Sequence, residues 1–321
     1  MRTRRLGSTD LDLSVIGFGT WALGGTGWKY SWGPQDDDLS VAAIRRAADL
    51  GINWIDTAAV YGLGHSEEVV GRALQEMRER PFIATKCGRF ANPDGTLTSR
   101  IKRESIRREA EESLKRLGVE AIDLYQLHWP LPDQDIEEAW QTMANLKAEG
   151  KARHIGVSNF SVRQMERILP IHPIASLQPP YSLLRRGIES DILPFCGARG
   201  IGVIVYSPLQ KGLLSGRITR ERVASLPGGD HRRNDPMFDG PVLESVLRFV
   251  EELRPIAEGR HRTLPQLALA WILRRPEITA AIAGCRSPEQ AAELAAAGDW
   301  MLDGESIRSI EEASAGLPSF Y

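Results

Sequence analysis

Phe-Ile-Ala-Thr-Lys (82–86) has the composition of a short buried β-strand, and Ile-Asp-Leu-Tyr-Gln-Leu-His (122–128) has the same character. Between these two runs, apolar residues recur at spacings of three and four over Ser99–Leu117, which predicts a helix with a glycine C-cap at Gly118. A strand, a helix and a second strand in this order form the unit that connects parallel strands. The chain is therefore expected to contain a parallel sheet.

The same alternation of strands and helices extends along the chain. Strands are predicted at Val15–Gly19, Ile52–Ile55, Phe82–Thr85, Ile122–Leu127, His154–Ser158, Ser176–Gln178, Gly202–Ser207 and Thr279–Ala283. Helices are predicted at Asp37–Leu50, Ser66–Met77, Ser99–Leu117, Asp135–Glu149, Ser161–Ile168, Glu189–Arg199, Pro265–Leu273 and Ser287–Ala296. Eight of each favour an α/β fold of the closed (β/α)8 TIM-barrel type over an open doubly wound sheet.

Additions to the barrel are also predicted. Residues 6–15 could form an N-terminal β-hairpin over the bottom of the barrel, and extra helices are expected in the C-terminal third at Val242–Ile256 and Glu305–Ala315. The long segment Leu209–Arg262 follows a strand, so it is expected over the active-site face as a lid or substrate loop. Since no linker-like stretch divides the chain, residues 1–321 are interpreted as one domain.

Composition narrows the function classes. The chain is 42% hydrophobic and 26% charged with a formal net charge of −2, which gives no electrostatic reason to expect nucleic acid or a membrane as a partner. Neither a signal-peptide pattern nor a long apolar stretch is seen, so a cytoplasmic protein is expected. Three widely spaced cysteines predict reduced thiols and no metal site. We expect a monomer, because no exposed apolar helix is evident.

One glycine motif suggests a different fold. Gly-Phe-Gly-Thr-Trp-Ala (17–22) matches the fingerprint of a Rossmann dinucleotide site. The stretch that follows, however, is Leu-Gly-Gly-Thr-Gly (23–27), which does not open a helix, and the acids 36–38 begin a helix instead of ending a second strand. We therefore interpret the motif as a tight turn at the end of the first barrel strand.

Four side chains near predicted strand ends suggest a proton-coupled hydride transfer: Asp56, Tyr61, Lys86 and His128. In parallel strands their positions would converge on one spot. Tyr61 would be the general acid that protonates a carbonyl oxygen, and Lys86 would lower the pKa of this phenol. Asp56 would hold Lys86 in an ion pair, while His128 would orient the carbonyl. Each residue taken singly could equally have a purely structural role.

Five motifs in order identify a family resemblance. They are Asp-Thr-Ala-Ala-Val-Tyr-Gly-Leu-Gly-His-Ser-Glu (56–67), Ile-Ala-Thr-Lys (83–86), Leu-Tyr-Gln-Leu-His-Trp-Pro (124–130), Gly-Val-Ser-Asn-Phe (156–160) and Tyr-Ser-Pro-Leu (206–209). Together they resemble the aldo-keto reductases over nearly the whole chain. Residues 178–184 and 284–290 look most like the bacterial general-stress-type branch, with some similarity to potassium-channel β-subunits. The resemblance implies a TIM barrel that binds NADPH/NADP+ across its C-terminal face, without a metal.

The resemblance also implies cofactor-binding residues. Ser158, Asn159 and Gln178 match residues that bind the nicotinamide carboxamide, and Tyr206 would stack on the ring. The loop 207–216 would meet the pyrophosphate, and we single out Ser207, Leu209, Lys211 and Gly212.

The last strand and helix supply the adenosine end. Gly284 precedes Arg286 and Ser287 at a helix N-terminus, where the dipole and a guanidinium could hold a 2′-phosphate and so favour NADPH over NADH. Gln290 could approach the adenosine one turn further on. Ala283 and Leu294 depart from the family pattern near the adenine.

The substrate is expected to be a small-molecule aldehyde or ketone. Trp21, Trp129 and Phe238 would line an apolar pocket, without indicating which carbonyl is reduced. Two alternatives remain open at this point: an NADPH-binding redox sensor with little turnover, and a Schiff-base lyase that uses Lys86. The lyase would have no need for Asn159, Gln178 and Arg286.

Overall fold

Eight parallel strands close into a barrel in the computed structural model, which describes residues 1–75, 77–92 and 96–317. The strands of the described chain are β1 (Thr3–Arg5), β2 (Asp12–Ser14), β3 (Ile16–Gly19), β4 (Trp54–Asp56), β5 (Phe82–Cys87), β6 (Arg89–Ala91), β7 (Leu97–Ser99), β8 (Ile122–Leu127), β9 (Ala152–Ser158), β10 (Ser176–Gln178), β11 (Gly202–Val205) and β12 (Ile278–Gly284). Around the barrel the order is β3, β4, β5, β8, β9, β10, β11 and β12, and β12 pairs with β3. The predicted TIM barrel is confirmed.

The helices are α1 (Asp37–Asp49), α2 (His65–Gln75), α3 (Arg103–Leu117), α4 (Ile136–Ala148), α5 (Val162–Ile168), α6 (Ile192–Arg199), α7 (Arg220–Ala224), α8 (Gly240–Glu258), α9 (Leu264–Leu273), α10 (Pro288–Ala295) and α11 (Gly304–Ser314). Apolar faces of these helices pack on the outside of the barrel in one large buried cluster. The extra helices predicted in the C-terminal third correspond to α8 and α11.

The N-terminal hairpin closes the bottom of the barrel, as predicted. Strands β1 and β2 pair in antiparallel fashion, and Leu6, Leu11 and Leu13 are fully buried with Trp54 in a second apolar cluster. Gly17 leaves the room that Trp54 needs, since a Cβ at Gly17 would lie 2.2 Å from the indole ring. Gly17 is therefore needed for packing inside the barrel. Only the short turn Trp21–Gly24 follows β3, and not the long helix of a Rossmann site.

Several predicted boundaries were wrong. Helix α3 begins at Arg103 and not at Ser99, because Ser99 ends the antiparallel hairpin of β6 and β7. Strand β11 ends at Val205, two residues before the predicted end. Helix α2 was predicted over Ser66–Met77, but it begins at His65 and is described as far as Gln75. Glu76 lies outside the described residues. Helix α7 was not predicted.

Candidate functional site

Three of the four predicted catalytic side chains are in direct contact at the C-terminal end of the barrel. Lys86 Nζ donates to Asp56 Oδ1 at 2.6 Å and to the carbonyl oxygen of Thr57 at 2.8 Å. The same nitrogen lies 3.5 Å from Tyr61 Oη. Asp56 and Lys86 are almost fully buried, since β4 and β5 are neighbouring strands whose ends meet here.

His128 follows the end of β8 and lies beside the phenol. Its ring centroid is 6.0 Å from that of Tyr61, in an edge-to-face arrangement. Its backbone N–H donates to the carbonyl oxygen of Cys87, the residue after Lys86. The four side chains therefore surround one small region, as the strand-end argument predicted.

Burial shifts the pKa values of Tyr61 and His128. It raises the pKa of Tyr61 well above its ordinary value, and the Asp56 carboxylate adds to the rise. This direction is opposite to the one that we expected from Lys86 alone, and it keeps the phenol protonated. Burial also lowers the pKa of His128 well below its ordinary value, with Lys86 adding to the effect. A neutral imidazole and a neutral phenol can both donate hydrogen bonds to an oxygen atom.

A hydrogen-bonded group of polar side chains lies next to the buried ion pair. Gln178 Nε2 donates to Asp56 Oδ2 at 2.8 Å, and Ser158 Oγ donates to the Gln178 carbonyl oxygen at 2.9 Å. Asn159, whose φ is +62°, donates to the His128 carbonyl oxygen at 3.0 Å. Tyr206 Oη in turn donates to Asn159 Oδ1 at 2.9 Å. These predicted nicotinamide-binding residues therefore form one ordered set.

The loop after β11 has an unusual backbone. Ser207, Gln210, Lys211 and Gly212 all have positive φ values, between 45° and 95°. Such conformations cost free energy for residues other than glycine and tend to occur at ligand sites. Lys211 Nζ is held by Asp235 at 2.6 Å. Ser207, Leu209, Lys211 and Gly212, which we predicted to meet the pyrophosphate, all line the same cavity.

Arg286 lies at the other end of that cavity, close to the N-terminus of α10. Its Nε donates to Gln35 Oε1 at 2.5 Å, and its guanidinium also contacts the carbonyl oxygens of Trp32 and Pro34. Gln290 Oε1 accepts from the Arg286 backbone N–H at 2.8 Å. The hydroxyl of Ser287 caps α10 by accepting from Gln290 N, and Ser287 is not among the cavity-lining residues.

One cavity joins the catalytic end of the site to Arg286, although Lys86, His128, Ser158, Asn159 and Gln178 are not among its lining residues. It has a volume of about 300 Å³ and extends from Asp56 and Tyr61, past Tyr206, to Gly284 and Arg286. Sequence reasoning did not assign a cofactor role to three further arginines on its wall, Arg217, Arg222 and Arg232. All three belong to the long segment after β11, and their spacing in the sequence gives no sign that they face the barrel mouth.

The three residues predicted to line the substrate pocket lie in three different places. Trp21 lines the cavity, and its ring stacks near Tyr61 at a centroid distance of 6.5 Å. Trp129 lines a separate groove beside Asn159. Phe238 was wrongly placed in the pocket, because the turn Pro236–Phe238 directs this ring into the hydrophobic core, where it is 3% exposed. The sequence showed that the loop was aromatic but not which way each ring faces.

A metal site and a membrane-spanning helix were both looked for in the described part of the chain. It has no group of three or more His, Cys, Asp or Glu residues that could hold a metal ion. Cys87, Cys196 and Cys285 are buried free thiols. Among the helices of that part, none has the length and apolar character to cross a membrane.

Comparison with known proteins assigns the family. The family model described as "Aldo/keto reductase family" matches residues 15–315. The chain belongs to the aldo/keto reductase family. Its members reduce carbonyl groups with a nicotinamide cofactor, so the chain is an oxidoreductase that acts on small-molecule carbonyl compounds.

Bacterial relatives resemble the chain over its full length. "Aldo-keto reductase YhdN" of Bacillus subtilis is 39% identical over 97% of this chain and 92% of its own length. "NADH-specific methylglyoxal reductase" of Escherichia coli is also 39% identical, over 98% of this chain and 99% of its own. The structure of the glycerol dehydrogenase AKR11B4 from Gluconobacter oxydans superposes with a TM-score of 0.88 at 39% identity, covering 98% of this chain and 95% of the other. The predicted resemblance to bacterial members is confirmed.

Proposed function

We propose that this aldo/keto reductase is an NADPH-dependent enzyme that reduces a small aldehyde or ketone to an alcohol, with Tyr61 as proton donor. The observation that carries this proposal is the position of Lys86 Nζ, 2.6 Å from Asp56 Oδ1 and 3.5 Å from Tyr61 Oη at the head of the cavity. The residues of the cavity fit a dinucleotide, because four arginines on its wall suit phosphate groups and Tyr206 offers an aromatic face.

The protein residues would handle the proton. A nicotinamide cofactor bound in the cavity would supply the hydride for the carbonyl carbon. Tyr61, kept protonated by burial, donates its proton to the carbonyl oxygen. Lys86 donates a hydrogen bond to the phenolate oxygen that forms, and Asp56 keeps the lysine aligned. His128 donates an N–H to the carbonyl oxygen, which fixes the orientation of the substrate.

NADPH is proposed on the basis of charge. Arg286 and Arg232 both line the cavity, and burial together with Arg232 lowers the pKa of Arg286, while Asp230 opposes that shift. Because Arg232 is already paired with Asp230 at 2.6 Å, Arg286 is the guanidinium that would gain more from an anionic group such as a 2′-phosphate. The Escherichia coli relative is named as NADH-specific, so the assay below compares the two cofactors directly.

A short substrate with oxygen on adjacent carbons is our proposal for the carbonyl. The printed names of two relatives, a methylglyoxal reductase and a glycerol dehydrogenase, both refer to three-carbon compounds of this kind. The ring centroids of Trp21 and Trp32 lie 5.4 Å apart, and both rings line the cavity together with Tyr61. Large aromatic side chains beside the proposed proton donor leave little room, which favours a small carbonyl compound over a bulky one.

The two alternatives receive less support. A Schiff-base lyase needs a neutral, accessible lysine, but Lys86 Nζ is buried and donates to Asp56 and Thr57. A redox sensor with little turnover would not need the phenol to be placed beside both Lys86 and His128.

The test is a steady-state assay with NADPH and NADH side by side, using methylglyoxal and 4-nitrobenzaldehyde as substrates. We expect turnover with NADPH and a higher kcat/KM for methylglyoxal. Arg286→Ala should raise the KM for NADPH by about tenfold, the cost of roughly one charged hydrogen bond, while the KM for NADH changes little. Arg108→Ala, which alters an exposed residue on α3, is the matched control.

Equal effects of Arg286→Ala on both cofactors would remove the phosphate role. Tight NADPH binding without turnover of any carbonyl would favour the sensor instead.

A further inference from the structure

The first turn of α2 is joined to Tyr61 by a very short connection. Gly62, Leu63 and Gly64 have φ values of 60°, 58° and 103°, and α2 begins immediately afterwards at His65. A run of left-handed residues makes a tight turn with little freedom. Any element that fixes the start of α2 will therefore also fix the position of the Tyr61 phenol.

Ser66 connects this first turn to two barrel strands. Its hydroxyl lies 2.7 Å from Thr20 Oγ1 and 3.1 Å from Thr57 Oγ1, and all three residues are fully buried. Thr20 follows β3 and Thr57 follows β4. The sequence predicted that this helix begins at Ser66, but α2 begins at His65, and the Ser66 hydroxyl makes its hydrogen bonds to residues that follow the barrel strands.

Glu67 connects the same turn to β5. Its Oε1 accepts from Thr85 Oγ1 at 2.6 Å, and Thr85 directly precedes Lys86. Its Oε2 accepts from Arg116 Nε at 2.7 Å and from Ser113 Oγ at 3.3 Å on α3. A buried carboxylate is costly unless it is paired and hydrogen-bonded, and Glu67, with no exposed surface, meets both conditions.

We propose that Ser66 and Glu67 are positioning residues, which hold the Tyr61 turn at a fixed distance from Lys86 by binding the ends of β3, β4 and β5. The inference rests on the proposed function, because it concerns the contact between its proton donor and its cation. Tyr61 and Lys86 belong to different segments, so their 3.5 Å separation depends on how these segments are joined. Small displacements of catalytic groups reduce rates strongly.

The negative charge of Glu67 also supports Lys86, because it favours the charged form of the lysine. Burial lowers the pKa of Lys86, while the carboxylates of Asp56 and Glu67 oppose that shift and favour the ammonium form. An uncharged lysine could not stabilise the phenolate that forms on Tyr61.

The decisive variants change the bond between Glu67 and β5. Thr85→Val removes the hydroxyl with little change of shape, Thr85→Ser retains it, and Ser113→Ala removes a different hydroxyl from the same carboxylate. We expect Thr85→Val to lower kcat by about tenfold or more, while the KM for NADPH stays within about twofold. Thr85→Ser should restore kcat, and Ser113→Ala should leave it unchanged.

Crystal structures of the same variants give a readout that does not need turnover. In Thr85→Val the distance from Lys86 Nζ to Tyr61 Oη should increase, whereas in Ser113→Ala it should stay as in the parent. If Thr85→Val does not fold, Ser66→Ala tests the links to Thr20 and Thr57 with the same expected loss of kcat.

Wild-type kcat and an unchanged distance in Thr85→Val would overturn the inference. An equal loss of kcat in Thr85→Val and Ser113→Ala would do so as well, since it would indicate general destabilisation. Absence of turnover in the parent protein would instead refute the proposed function, and the structures alone would then decide the positioning role.

Discussion

At the scale of single residues, burial of ionisable groups is the main physical influence on the site. Tyr61, Lys86 and His128 all have pKa values moved by burial toward their neutral forms, and charged neighbours then modify each shift. The sequence indicated which residues meet, because strand ends of a parallel barrel converge. It did not indicate the direction of the Tyr61 shift, since that depends on how much protein surrounds the phenol and on Asp56 nearby.

Burial also shifts the pKa of a residue outside the proposed catalytic group, Glu109 on α3. It is 2% exposed, and both carboxylate oxygens lie 3.0 Å from the Gly88 backbone N–H. Burial raises its pKa from 4.5 to about 8. A folded-state pKa above the unfolded one means that the neutral acid stabilises the fold at low pH and that this contribution is lost as the pH rises through about 8.

Glu109→Gln should therefore remove a pH dependence of stability. Relative to this variant, the wild-type free energy of unfolding should fall by about 1.4 kcal/mol per pH unit between roughly pH 5 and pH 8. Urea denaturation over this range measures the difference, with Glu104→Gln, at an exposed position of α3, as control. Parallel pH curves for the wild type and Glu109→Gln would show that Glu109 has an ordinary pKa.

At the scale of elements, strands place Asp56 and Lys86, whereas turns place Tyr61 and the loop after β11. The strand ends were predicted within a few residues, because alternating strand and helix patterns are strong local signals. The turn Tyr61–Gly64 and the left-handed loop after β11 could not be predicted in detail, since their conformations depend on contacts with distant segments. Gly62 is the clearest case, because a Cβ there would lie 2.1 Å from the Gly24 carbonyl oxygen.

Gly62→Ala should lower activity more than stability alone would explain. The new methyl group would meet backbone, so the Tyr61 turn must move away from the turn Trp21–Gly24. We expect kcat to fall by roughly tenfold or more, together with a loss of about 1–3 kcal/mol in unfolding free energy. Gly118→Ala is the matched control, since Gly118 also has a positive φ but has nothing within 4 Å of its added Cβ. Equal activity losses in the two variants would show that backbone strain alone is responsible.

At the scale of the whole molecule, the two ends of the barrel have different tasks. The hairpin of β1 and β2 closes the N-terminal end with leucines, while the polar groups and the arginines gather at the C-terminal end. The fold was predictable because its repeating pattern runs along the whole chain. The positions of Arg217, Arg222 and Arg232 on the cavity wall and the orientation of Phe238 were not predictable. These residues lie in a long segment after β11 whose apolar residues follow no regular spacing.

Leu11→Ala should separate stability from catalysis. Leu11 is 1% exposed in the apolar cluster at the barrel bottom, so its truncation should cost about 2–5 kcal/mol of unfolding free energy. Below the unfolding transition, kcat and the KM for NADPH should match the parent, because the cavity lies at the other end. Chemical denaturation and steady-state kinetics on the same preparation test this, and a reduced kcat in fully folded protein would contradict it.

Single-turnover reduction of methylglyoxal by Tyr61→Phe with bound NADPH measures whether Tyr61 donates the proton. Phenylalanine keeps the ring beside Trp21 and His128 and removes only the hydroxyl near Lys86. If Tyr61 is the proton donor, the rate of NADPH oxidation should fall by roughly 10²–10⁴-fold, with the Kd for NADPH within about twofold of the parent. A single-turnover rate equal to that of the parent would contradict it.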